Sequence, residues 1–469
     1  MSSAAQPLLT THQQQSTLTP PPQQTNTKKV TTSNLYLLCF FSLTFHAGWS
    51  IWERNLFPVW VVLEIEKSNS TSYLTPTQAV GMIQSFQGLT ALLVGPIFGT
   101  IIDSITTISS FQTLTRVLVF QGLLSLFAVG SAIYYTRTDW LLYVAMCLYG
   151  TLLSVQGIFV QTLLTRSTQK GEERTYAFTL KSTFWRSGNV LAQGINLFLL
   201  YSWGNDSWDV RVLQKIMLVG VCLLFVPLVS LLWVVPIVET NSTKNAEQTK
   251  NTEQTKNTIT TETKQTIEIV ETRTEHDKVK TRKILCSPPI ILFVAVLFRV
   301  LGKGTAMRFI PIYFTEHYQM TPIYLTWLVL AAQIVSVFSP FVCLTLSKCI
   351  GRSWTIVLIR LLEPACLLVL GFVDHELSCA VSFVLYLGVP VGTRSIEKAV
   401  LMDYTNKKYR GRWNAMESIN RGTWAGSASL GGWLASLNGG KNWEWLFGTA
   451  AGFVSVACVV LSGLIGLVK

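Results

Sequence analysis

Among the charged side chains inside stretches of this chain that are otherwise apolar, ten basic and four acidic ones stand out. They are Arg54, Lys181, Arg186, Arg299, Lys303, Arg308, Arg360, Arg394, Lys398 and Arg421, set against Glu53, Glu363, Glu397 and Glu417. If the apolar stretches lie in a bilayer, each charge at its centre costs roughly 2.5–3.5 kcal/mol on insertion scales, so the fourteen must face one another or water. Their types limit the chemistry. Glu417 and Arg421 are four residues apart with the acid first, the order and spacing of a same-face helical pair, and Arg394 and Glu397 are three apart. Pairing cannot use up every arginine, and a guanidinium fork facing water suits a carboxylate or phosphate. A carboxylate beside such an arginine can exchange its proton as its surroundings change, because burial raises its proton affinity and a cation lowers it. Arg186, Arg299, Arg421 and Arg394 are therefore the candidate anion-binding residues, and Glu417 and Glu53 the candidate proton-coupling acids.

The composition supports a membrane setting. Of 469 residues, 49% are hydrophobic and 13% charged, about half the charge of an ordinary soluble domain. The net charge of +12 forms no basic stripe or aromatic-rich basic motif, so nucleic acid is not expected as a partner. The nine cysteines make no CxxC pair, and most, such as Cys39, Cys147 and Cys366, lie in apolar runs, which argues against a disulfide framework or a metal site. His46, His317 and His375 are scattered, with no Ser-His-Asp or metal-ligand spacing. No enzyme and no cofactor are expected.

Stretches long enough for about 20 helical residues occupy 34–58, 79–102, 112–135, 140–164, 175–201, 212–237, 288–314, 322–346, 354–373, 378–402, 413–436 and 444–468. The first follows a polar leader and lacks a cleavage site, so it reads as a span rather than a signal peptide. Basic residues favour cytoplasmic loops. Lys28, Lys29, Arg166, Lys170, Arg174, Lys348, Arg352, Lys407, Lys408, Arg410 and Arg412 fall on one side, which predicts that both termini are inside. The other side carries two glycosylation acceptors, Asn69 and Asn205. At roughly 1.5 Å per residue, Arg186, Arg299 and Arg421 share a mid-bilayer level, while Glu53, Arg54, Lys303 and Arg308 lie toward the outer mouth.

The expected organisation is a disordered leader (1–33), a six-helix bundle (34–238), a disordered linker (239–285) that repeats KNAEQT, KNTEQT, KNTITT, and a second six-helix bundle (286–469). Internal similarity supports the doubling. An offset of 238 residues places Gly426 on Gly188, and an offset of 244 places Pro340 on Pro96 and Arg360 on Arg116. Arg54 precedes Pro58 as Arg308 precedes Pro311. Gly88, Gly95 and Gly99, and Gly422, Gly426 and Gly431, predict tight helix contacts, since association in lipid depends on small residues. Gly302 and Gly304 could mark a hinge in span seven.

EERTYAFTLKSTFWRSGNVLAQG (172–194), GKGTAMRFIPIYF (302–314) and YRGRWNAMESINRGTWAGSASLGG (409–432) resemble spans five, seven and eleven of a poorly characterised eukaryotic group within the major facilitator superfamily. The resemblance covers nearly the whole chain outside leader and linker. It implies an all-α fold of twelve transmembrane helices in two pseudo-symmetric bundles, a monomer working by alternating access, and span nine at the bundle periphery, where Arg360 and Glu363 would brace each other. Gly95, Gly99 and Asp103 match part of the superfamily's loop motif, without its basic cluster. Gly351 and Arg352 are what the second half keeps, so Asp103, Gly99, Gly351 and Arg352 are the implied gating residues. The expected activity is secondary transport of a small solute, leaning to organic anions, with a proton as the candidate coupling ion and lipid as the surrounding partner. The alternative is a non-transporting sensor or a lipid-moving protein on the same fold. Plasma membrane and an internal membrane are equally compatible.

Overall fold

The computed structural model describes residues 24–68, 74–105, 107–135, 140–168, 172–203, 206–235, 288–404, 419–420, 422–440, 442–465 and 467. Asn69, Asn205, Glu417 and Arg421 lie outside these residues, as does the whole of the expected linker, 239–285.

The described chain is helical from end to end. Helices α1 (Gln24–Trp52), α2 (Leu56–Ser68), α3 (Pro76–Ser104), α4 (Ile108–Tyr134), α5 (Trp140–Ser167), α6 (Glu172–Trp203), α7 (Val210–Leu223) and α8 (Phe225–Ser230) form a first half. Helices α9 (Pro288–Met307), α10 (Ile310–His317), α11 (Pro322–Ile350), α12 (Arg352–Phe372), α13 (Glu376–Gly388), α14 (Thr393–Tyr404), α15 (Ala428–Gly440) and α16 (Trp443–Ser462) form a second. A helical turn at 422–426 precedes α15. In hydrocarbon every backbone N–H and C=O must be satisfied within the segment, and helices achieve this without partners. Ten helical segments among the described residues are long and apolar enough to cross a membrane. Helix α6 is long enough too, at 32 residues, but its polar residues Lys181, Arg186, Asn189, Gln193 and Asn196 make it less apolar. Helix α1 starts at Gln24, earlier than the apolar run alone suggests.

Local chemistry sets the element boundaries. Thr75 accepts from the backbone N–H of Gln78 while the Gln78 side chain accepts from Thr75, a reciprocal cap that starts α3. Thr321 and Asp209 cap α11 and α7 by a single bond each, accepting from the backbone N–H of Tyr324 and of Arg211. Between α11 and α12 stands one residue, Gly351, at φ 87° and ψ 159°, a conformation essentially confined to glycine.

Two breaks repeat. Turns at Glu53–Asn55 and at Arg308–Phe309 interrupt spans one and seven, each a few residues before Pro58 or Pro311, whose missing N–H cannot continue an i→i−4 ladder. Pro96 and Pro340 also sit at matching depths inside α3 and α11, as the offset of 244 requires. Gly302 and Gly304 lie in unbroken helix. Their role is close approach: a Cβ at Gly304 would stand 2.0 Å from the Trp424 carbonyl oxygen. The hinge-like break falls four residues later, at Arg308.

One continuous buried core runs through both halves, with Trp52, Trp60, Phe57 and Tyr149 from the first and Phe309, Phe314, Tyr386 and Phe447 from the second. Large apolar side chains such as Phe120, Phe127, Phe338 and Val459 cover the outside, as a lipid-facing surface requires. The halves meet along two seams, α3 against α15 and α6 against α11. Gly88 shows why the first seam is tight: a Cβ there would stand 2.5 Å from the Ala425 Cβ and 2.6 Å from the Gly426 nitrogen. Gly99, expected to form a similar contact, meets nothing within 4 Å.

Candidate site at the interface of the halves

The two helix breaks face each other. At the first, Glu53 is wholly buried and its Oε1 lies 2.7 Å from Arg308 Nη2, which comes from the second break. Gln87 Nε2 donates to the same oxygen at 3.1 Å, and the Trp49 indole N–H donates to Oε2. Arg308 also donates to the Glu53 backbone carbonyl and lies over the Trp424 ring, 4.3 Å from its centroid. A buried ion pair is tolerable where hydrogen bonds saturate both partners, and here the carboxylate is saturated. The pair joins the break of the first half to the break of the second. Gln87, Trp49 and Trp424 were not anticipated as partners; Gln87 was visible in sequence as an amide in an apolar span.

Arg186 reaches from α6 into the second half. Its Nη1 donates to the Ser336 carbonyl at 2.9 Å and its Nη2 to the Val391 carbonyl at 3.3 Å. Ser336 is four residues before Pro340, so its carbonyl is the one that the missing proline N–H leaves unpaired. Arg54 donates to Gln333 Oε1 on α11 at 3.4 Å. Closer to the loops remote from the termini, Gln78 bonds Ser436, Ser85 bonds the 425–429 backbone, Trp208 bonds Met320, Trp327 bonds Tyr201, and Asp206 accepts from Ile323. The bonds named here close the halves on the side away from the termini.

The second half contains a chain of buried charges. Arg299 donates through Nη1 to both oxygens of Glu397 at 3.1 Å. Arg360 Nε donates to Glu397 Oε1 at 2.8 Å and Arg360 Nη1 to Glu363 Oε1 at 2.7 Å. Lys303 Nζ also stands 2.7 Å from Glu363 Oε1, and Thr393 donates to Glu397 at 3.0 Å. Arg360 and Glu363 are 1% and 0% exposed. The expected peripheral brace is thus the hub of a five-charge network, because this face of α12 is buried and reaches Lys303 on α9 and Glu397 on α14.

That network decides the state of Arg394. Its i+3 neighbour, Glu397, was the expected partner, but Glu397 is already engaged by Arg299, Arg360 and Thr393. Arg394 is exposed, and no carboxylate among the described residues lies within ion-pair distance. It reaches across to the first half, 6.0 Å above the Trp185 ring of α6. One turn on, Lys398 lies 4.6 Å over Phe178. Of the four arginines expected to bind an anion, Arg186 and Arg299 are more than nine-tenths buried and committed to protein partners. Arg394 is exposed, and Arg421 lies outside the described residues. Among the implied gating residues, Gly351 shapes the α11–α12 corner, Arg352 is exposed at its far side, Gly99 faces open space, and Asp103 lies on α3.

Among the described residues no group of three or more His, Cys, Asp or Glu side chains could hold a metal ion. The eight cysteines among them are unpaired.

No curated protein matches this chain. Solved structures do match, and at this level of identity they inform on fold alone. The nucleoside transporter NupG, in a point-mutant form, aligns with a TM-score of 0.62 at 12% identity, covering 94% of this chain and 100% of its own. A bacterial homologue of the iron transporter ferroportin in an inward-facing state gives 0.61 at 12% identity, covering 92% and 98%. The human organic anion transporter MFSD10 (TETRAN) gives 0.54 at 11%, covering 94% and 100%. The family model of the Major Facilitator Superfamily matches residues 38–392 and 292–467. That match spans most of the chain, and this multi-pass membrane protein belongs to the Major Facilitator Superfamily.

Proposed function

We propose that this protein is a secondary transporter that moves a small organic anion between the two sides of its membrane by alternating access, coupled to protons. The observation that carries the reading is Arg394: an exposed guanidinium between the halves, without a carboxylate partner among the described residues. A guanidinium fork in that position binds a carboxylate or phosphate with geometric specificity. Arg421 is assigned to the same lining, while Arg186 and Arg299 support the walls through the contacts described above. Sites between paired repeats at mid-membrane are the general arrangement in transporters of this build.

Glu53 is assigned the coupling role, with Glu417 as the second candidate. Proton uptake by Glu53 removes the charge that holds Arg308, so the contact between the two breaks weakens and the closed side can open. With the termini on the cytoplasmic side, the seams described are closed outside and the site faces the cytoplasm. Residues 34–238 and 286–469 are the two rocking bodies, with Asp103, Gly99, Gly351 and Arg352 at the cytoplasmic gate. Asn69 and Asn205 are the proposed glycosylation sites.

The test is uptake of labelled organic anions, neutral solutes and cations into proteoliposomes, with and without a pH gradient. Arg394→Ala is expected to lower anion uptake at least tenfold with Arg394→Lys intermediate, and Glu53→Gln to abolish stimulation by the gradient. Transport confined to neutral or cationic solutes, undiminished in Arg394→Ala, would refute the anion reading.

A further inference from the structure

The arginine that the charge network leaves without an acid does not face open water alone. Trp185 lies beneath it, and the Trp185 ring in turn stands 4.9 Å from the His46 imidazole, tilted by 40°. His46 meets the Trp49 indole edge-on at 5.9 Å. His46, Trp49 and Trp185 are all half-buried. Phe178 and Lys398 repeat the arrangement toward the termini. Seven residues separate the two rings on α6 and four separate the two cations on α14, so each set stands on one face of its helix. The rungs are therefore about 6–10 Å apart at 1.5 Å per residue. The Trp185 indole N–H is buried and has no hydrogen-bond partner among the described residues.

These contacts have a specific weakness. An exposed cation over a ring is held by about 0.5–1 kcal/mol, far less than the bidentate bond a guanidinium makes with a carboxylate. A ligand that brings both a carboxylate and a flat ring can replace both halves of the contact: its carboxylate takes Arg394, and its ring lies against Trp185, which the guanidinium gives up. Inorganic phosphate, or a saturated acid, satisfies only the first requirement.

Resting on the anion reading above, we propose that the cleft between α6 and α14 selects planar aromatic carboxylates, with Arg394 holding the carboxylate and Trp185 stacking on the ring. Trp185 is then the specificity-determining residue, and the Phe178–Lys398 rung receives the far end of a longer substrate.

Two acids of the same charge and carbon skeleton separate the contributions: 2-naphthoate, which is flat, and its fully hydrogenated counterpart, which is not. Binding of each to the purified full-length protein in detergent is measured by calorimetry, with inorganic phosphate as a third ligand. The wild type is expected to prefer 2-naphthoate by three- to tenfold, the contribution of one stacked aromatic pair. Trp185→Leu should bring that ratio close to one, and Trp185→Phe should retain it. Loss of folding would depress both affinities together and leave their ratio, so it cannot mimic the effect. Arg394→Gln should weaken both acids alike. Equal affinities in the wild type, or a preference that survives Trp185→Leu, overturn the aromatic assignment while leaving the anion reading in place. If neither acid nor phosphate binds, or Arg394→Gln changes nothing, both fail.

Discussion

Glu397 accepts hydrogen bonds from Arg299, Arg360 and Thr393, on three different helices, and two of those donors are guanidiniums with almost no access to water. Removing one member of a buried ionic group leaves the others uncompensated, typically at a cost of about 3–5 kcal/mol. Glu397→Gln is therefore expected to lower the thermal midpoint of the purified protein sharply. Arg299→Met combined with Glu397→Met should recover a large part of the loss, since Arg360 keeps Glu363; a midpoint unchanged in Glu397→Gln would contradict the network. The sequence showed every one of these charges, and that they had to find company in the membrane. Their partners were less legible. Spacing along one helix suggested Arg394 for Glu397, but contacts from 98 and 37 residues away outrank an i,i+3 neighbour when the acid faces the core. The residue left over by that competition, Arg394, is the one proposed to hold the ligand, and no local pattern singles it out from the other candidate arginines.

Prolines and glycines act at the scale of elements. The breaks before Pro58 and Pro311 bring Glu53 and Arg308 face to face, and Pro340 frees the carbonyl that Arg186 takes. All three prolines are visible in the sequence, and an arginine shortly before a proline in both halves was a usable sign. Which carbonyl each proline releases follows from counting back four residues; which distant arginine then finds it depends on how the halves dock. Small residues divide the same way. Gly88 and Gly422 sit where α3 meets the second half, whereas a Cβ at Gly99 would meet nothing within 4 Å. Gly88→Leu is accordingly expected to disfavour the docked arrangement. A cysteine at Ser85, whose hydroxyl bonds the 425–429 backbone, should become at least several-fold more reactive toward a membrane-impermeant maleimide in that background. Unchanged reactivity in well-folded protein would contradict the seam as described.

The molecule as a whole is two helical bodies held together on the side away from their termini by a buried ion pair, an arginine on orphaned carbonyls and a row of polar contacts. Its fold class was readable from apolar run lengths, loop charges and internal offsets. The direction in which the halves are closed was not, since one sequence must serve both orientations of a carrier. Alternating access requires that this closed side open in every cycle. Gln78 Nε2 and Ser436 Oγ, 2.8 Å apart across the seam, offer a direct test. In protein with exposed Cys222 and Cys349 replaced by serine, Gln78→Cys and Ser436→Cys can be joined by a short, reducible thiol cross-linker and anion flux followed in proteoliposomes. Flux is predicted to stop on cross-linking and return on reduction. Flux that continues undiminished through the cross-linked protein would contradict the account.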